Sequence, residues 1–163
     1  MIKLHEDYLR SAFFGLQDAL VSTTGVVVGI SAGVHDRSII LLAALVAVSV
    51  EASSMAAGQY SSEKTVHQMD KTGRHTDNLF TGALIMFIAY LIGGLVPILP
   101  VIFIDPPQSS IFGVIFALIG LFAVGYIKGI LVKEAPLRNA IELLIIGGTA
   151  TAIGLAVGHF LKI

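Results

Sequence analysis

The sequence contains no cysteine and no tryptophan, and charged residues occupy only 13% of its 163 positions. Without cysteine there are no disulfides, thiolate metal sites, iron–sulfur clusters or thiol nucleophiles, so any metal ion must be held by oxygen, nitrogen or thioether ligands. Charge is also balanced: 10 Lys and Arg stand against 11 Asp and Glu, for a formal net charge of -1. No basic surface is available to neutralise phosphates, which excludes nucleic acid as a partner. Equally missing are a Gly-rich phosphate loop, an H-E-x-x-H zinc helix and a G-x-S-x-G elbow, so neither an enzyme nor a bound cofactor is expected.

What the chain has instead is apolar bulk. Hydrophobic residues make up 55% of it, and the mean hydropathy of +0.88 is far above that of a water-soluble domain. One span needs roughly 20 apolar residues to cross about 30 Å of hydrocarbon. Apolar runs near 12–34, 39–61, 80–103, 110–132 and 138–161 predict an all-α integral membrane protein with five transmembrane helices in a single transmembrane domain. The breaks fall at His35-Asp36-Arg37, at the polar loop 62–79, at Asp105-Pro106-Pro107-Gln108 and at Lys133-Glu134-Ala135-Pro136. Lys3 and Arg10 open the chain, but Glu6, Asp7 and Asp18 interrupt the pattern of a cleaved leader, so the first apolar run is expected to stay as a helix.

Cations set the expected orientation. With the N-terminus in the cytoplasm, that side receives Lys3, Arg10, Lys64, Lys71, Arg74, Lys128, Lys133 and Arg138, against Arg37 and Lys162 on the other. Five spans then leave the C-terminus outside and make 62–79 the main cytoplasmic loop. Small residues four apart recur at Gly25, Gly29 and Gly33, at Gly125 and Gly129, and at Gly154 and Gly158, a spacing that lets helices approach closely, within one bundle or between subunits. Pro97 and Pro100 are expected to kink or break the third helix, because each removes a backbone donor.

The residues an idle membrane helix would avoid are Gln17 and Asp18 in the first span and Glu51 and Gln59 in the second. A carboxylate at a helix centre costs about 2.5 to 3.5 kcal/mol on insertion scales and calls for a compensating role. Counting from the cytoplasmic edge, Asp18 and Met55 both lie roughly 9 Å deep on antiparallel neighbours. Glu51, Met55 and Gln59 follow i, i+4, i+8 spacing and share one helical stripe; Asp18, Ser22, Gly25 and Gly29 form another. Two hard carboxylates with one soft thioether suit ferrous iron, manganese, cobalt or zinc better than calcium or magnesium. Asp18, Glu51 and Met55 are therefore the candidate metal ligands, with Gln17, Ser22 and Gln59 as possible pathway lining. The cytoplasmic loop adds Glu63, His67, Met69, Asp70, His75 and Asp77, of which Glu63 and His67, one helical turn apart, could receive an entering ion. The bland readings are core packing for Met55, internal hydrogen bonds for the two carboxylates, and a solvated loop.

The stretch Phe14-Gly15-Leu16-Gln17-Asp18-Ala19-Leu20-Val21-Ser22-Thr23, followed by Gly25 and Gly29, resembles the first-helix signature of the vacuolar iron transporter family. Glu51-Ala52-Ser53-Ser54-Met55-Ala56-Ala57-Gly58-Gln59-Tyr60-Ser61-Ser62 is similar to its second. Pro97, Pro100, Gly125-Tyr126-Ile127-Lys128 and the Gly147-Gly148 to Gly158 pattern extend the likeness over nearly the whole chain. The resemblance implies a homodimer with the ion path between protomers, and proton-coupled export of ferrous iron or manganese from the cytosol, the ions being cargo and not cofactors. Asp18 and Met55 match positions that the family uses along its path, and Glu51 falls where another acidic residue is frequent. Many members carry a Glu-rich metal-binding domain between the second and third helices, which is absent here. A non-transporting packing or assembly subunit is the alternative expectation, as is a main substrate such as cobalt or zinc. Short loops favour a prokaryotic plasma membrane as host, or a vacuolar-type membrane in a eukaryote.

Overall fold

A computed structural model of the chain describes residues 6–70 and 78–160, all of whose regular structure is helical. The helices are α1 (Glu6–Gly33), α2 (Arg37–Met69), α3 (Leu79–Phe103), α4 (Gln108–Leu131) and α5 (Pro136–Phe160). Even α4, with 24 residues, reaches about 36 Å at 1.5 Å per residue, and all five are long and apolar enough to cross a membrane.

The ends follow local chemistry. Asp36 caps α2, its Oδ1 accepting from the backbone N–H groups of Ser38 at 2.8 Å and Ile39 at 3.3 Å. Asn78 caps α3 by accepting from the N–H of Thr81 at 3.1 Å, and its own N–H donates to the Tyr8 hydroxyl at 2.8 Å, which ties the start of α1 to the start of α3. Pro136 opens α5, where a missing N–H costs nothing.

Two expectations change. Residues 62–69, read as loop, continue α2, because nothing between Gln59 and Met69 breaks a helix: polarity rises there but no Gly or Pro intervenes. His75 and Asp77 lie outside the described residues. The third helix also runs through Pro97 and Pro100 without the break that is one of the two expected outcomes; each proline leaves the carbonyl four residues earlier, Gly93 and Val96, without its helical donor, and both are buried.

Among the described residues α1 is the only helix that touches all four others. Its glycines explain how. A Cβ placed on Gly154 of α5 would lie 2.6 Å from the carbonyl oxygen of Gly25, so the α1–α5 seam closes only around bare backbone. The second glycine series seats α4 on α5, since a Cβ on Gly125 would lie 2.7 Å from the carbonyl oxygen of Asn139. Around α1 gather three small cores: Val27, Ile40, Ala44, Val48, Ile98 and Val101 with α2 and α3; Leu20, Ala117, Leu121 and Leu143 with α4 and α5; and Ala19, Ala52 and Tyr90 near the polar residues of α1 and α2. The outer faces carry exposed Ile92, Ile119, Ile145 and Ile153, an arrangement suited to lipid and not to water.

Candidate ion site among the first three helices

Ala19 and Ala52 have no exposed surface, and their small side chains bring α1 against α2 just beside the two intramembrane carboxylates. Ser22 of α1 donates to Glu51 Oε2 of α2 at 3.2 Å. That bond sets an antiparallel register in which residue 18 stands opposite residue 55, and Met55 packs against the Ala19, Ala52 and Tyr90 cluster. Asp18 lies within electrostatic range of Glu51. Among the described residues no hydrogen-bond donor reaches the Asp18 carboxylate. Glu51, by contrast, is held: besides Ser22, the Tyr90 hydroxyl of α3 donates to the same Oε2 at 2.5 Å, and the Ser22 and Tyr90 oxygens are 2.6 Å apart.

The structure thus brings together Asp18, Ser22, Glu51 and Met55 and adds Tyr90, which sequence reading missed. Tyr90 is 1% exposed. Its signal was present but faint, since Thr81 and Tyr90 carry the only hydroxyls in α3. Two carboxyl groups within electrostatic range at half-buried positions, one of them without a donor, make an arrangement that a cation would relieve. One chain offers an incomplete shell: among the described residues no three His, Cys, Asp or Glu side chains gather.

Gln17 is placed elsewhere. About 100° around α1 from Asp18, it lines a cleft of about 560 Å³ between α1 and α4 with Leu9, Phe13 and Lys128. Gln59 belongs to a second polar layer nearer the end of α2, where its Nε2 donates to Ser11 Oγ at 3.0 Å and to Glu63 Oε1 at 3.2 Å. Glu63 is 3% exposed and forms an ion pair with Arg10, whose other neighbour is Asp7 at 3.6 Å. So the first acidic residue of the expected entry region is a paired, buried group and not an open ligand. His67, one turn farther along, is half-buried and itself engaged. Glu51 and Glu63 are 12 positions apart, about 18 Å along the helix, so the two polar layers are separate.

Comparison with known proteins finds relatives over nearly the whole chain. The family model of the VIT family matches residues 9–78 and 64–159. Vacuolar iron transporter homolog 4 of Arabidopsis thaliana is 30% identical over 159 residues, covering 90% of this chain and 80% of its own length. Vacuolar iron transporter homolog 2 of the same plant is 26% identical over 157 residues with the same coverage. Vacuolar iron transporter 1 of Oryza sativa subsp. japonica is 41% identical over 71 residues, 43% of this chain and 28% of the relative. With both carboxylate-bearing helices and the three that follow inside the matched residues, the chain belongs to the VIT family, the vacuolar iron transporter family whose helix signatures it carries.

Proposed function

We propose that the chain is a homodimeric transporter that exchanges divalent transition-metal ions, ferrous iron or manganese, for protons and moves the metal out of the cytosol. The observation that carries this reading is the Asp18–Glu51 pair: two carboxylates within electrostatic range, inside helices fit to span a membrane, with no donor on Asp18 and with Met55 alongside. A carboxylate must lose its proton to bind a metal, so one pair of groups serves both ions in turn, which is the chemistry of exchange. The thioether favours borderline ions over hard ones. A second copy facing this one across α1 completes a shell that one chain leaves short, and the groove of about 630 Å³ along Gly25, Gly29, Gly154 and Gly158, which begins at Ser22, is open for such a partner. Gathering eight of the 10 Lys and Arg on one side keeps the N-terminus cytoplasmic in this reading. The relatives described above are named for the vacuole, which lends no support to a plasma-membrane host.

Purified protein in liposomes under a pH gradient tests it. Wild type is expected to move ferrous iron with opposing proton flow, and Asp18→Asn and Met55→Ala are each expected to slow it by more than about tenfold. Flux equal to wild type in both variants would sink the site assignment. Competition among manganese, cobalt and zinc then ranks the cargo.

A second reading, a packing or assembly subunit, draws on the Ser22–Tyr90–Glu51 bonds, which join α1, α2 and α3. It leaves Asp18 without a task. Absence of any divalent flux from wild-type vesicles would favour it.

A further inference from the structure

We propose that Tyr90 and Ser22 set ion selectivity by occupying one oxygen of Glu51, so that this carboxylate can offer a metal ion only its other oxygen. The inference rests on the transport reading above and deepens it. An ionised carboxylate oxygen has about two lone-pair sites. At Glu51 Oε2 the Tyr90 hydroxyl takes one at 2.5 Å, and the Ser22 oxygen, 3.2 Å away, crowds the other. The Ser22 hydroxyl, 2.6 Å from the Tyr90 oxygen, has one hydrogen to give and steadies that oxygen with it, while Tyr90 is fixed further by burial in the Ala19 and Ala52 cluster. Oε1 has no hydrogen-bond partner among the described residues and is the oxygen left for an ion.

The consequence concerns denticity. Calcium fills a shell of six to eight oxygens and gains by taking carboxylates through both oxygens, whereas smaller transition ions are satisfied by fewer ligands, each through one atom. A glutamate restricted to one oxygen therefore costs calcium a ligand and costs manganese none. Tyr90 is here a positioning residue: it acts through Glu51 and touches no ion itself.

Liposome flux of manganese and calcium, measured singly and in competition, reads the effect. Tyr90→Phe keeps the ring and removes the hydroxyl, freeing Oε2; it is expected to raise the calcium-to-manganese ratio by about tenfold, the worth of one contact to a charged group. Ser22→Ala, losing the longer bond, is expected to raise it less. A purely structural role for Tyr90 would lower both fluxes together and leave the ratio unmoved, and that result overturns the proposal. Size-exclusion profile and thermal unfolding identify a variant that fails to fold; if Tyr90→Phe is one, Ser22→Ala decides alone, a raised ratio supporting the proposal and an unchanged ratio overturning it. Wild-type vesicles that move neither ion overturn the transport reading and this one with it, whereas an unchanged ratio beside active wild type overturns the selectivity role only.

Discussion

Met55 is the side chain at which packing and chemistry can be told apart most cleanly. It packs on the Ala19, Ala52 and Tyr90 cluster and also stands in register with Asp18, so truncation to alanine removes volume and sulfur together. Met55→Leu keeps the volume and removes the sulfur. A volume-conserving swap of this kind costs under about 1.5 kcal/mol of stability. The melting temperature is therefore expected to stay close to wild type, while transport of ferrous iron and cobalt falls relative to manganese, as ion-competition flux would measure. Asp18 and Glu51 were legible in the sequence because a carboxylate within an apolar run is conspicuous without knowledge of its surroundings. Tyr90 was not, because tyrosine is an ordinary guest in membrane helices and its meaning depends on meeting Glu51, 39 positions earlier in the chain.

Helix seams make a different set of demands. The glycine spacing showed that helices would approach closely but left open whether the contacts lay within one chain, and the structure assigns Gly25 to Gly154 and Gly125 to Ala140 of the same chain. Gly154→Ala should therefore destabilise the bundle by about 1 to 3 kcal/mol through overpacking. Gly148→Ala, with no atom within 4 Å of the added Cβ, should be neutral or stabilising by up to about 1 kcal/mol. Thermal unfolding in detergent compares the two, and equal effects would show that the seam tolerates a wider spacing. The far end of α2 supplies a second contrast. Its continuation to Met69 escaped hydropathy, which registers the loss of apolar residues after Ser61 but not the absence of helix breakers. That continuation carries Glu63 to Arg10. Arg10→Ala strands a carboxylate that is 3% exposed and should cost about 1 to 3 kcal/mol, a buried-pair penalty discounted because the Arg10 side chain is 59% exposed. Adding Glu63→Gln should recover most of it, and a double-mutant cycle on melting data checks the coupling.

The proposed exchange predicts a signed dependence on pH that belongs to the assembled bundle and not to one side chain. On that proposal protons and metal take turns on the same carboxylates, so acidifying the cytoplasmic face should slow initial manganese export. Acidifying the opposite face should speed it, because protons then reload the carboxylates as metal leaves. Flux measured while each face is titrated separately checks both signs, and identical responses on the two faces would contradict exchange. The hub position of α1 has a bearing on biogenesis. Chains are made from the N-terminus, so α1 is synthesised before every helix that packs on it. A nascent chain halted after α1 consequently leaves the α1–α5 glycine seam and all three small cores unmade, so the bundle closes only once its first helix has waited for the rest.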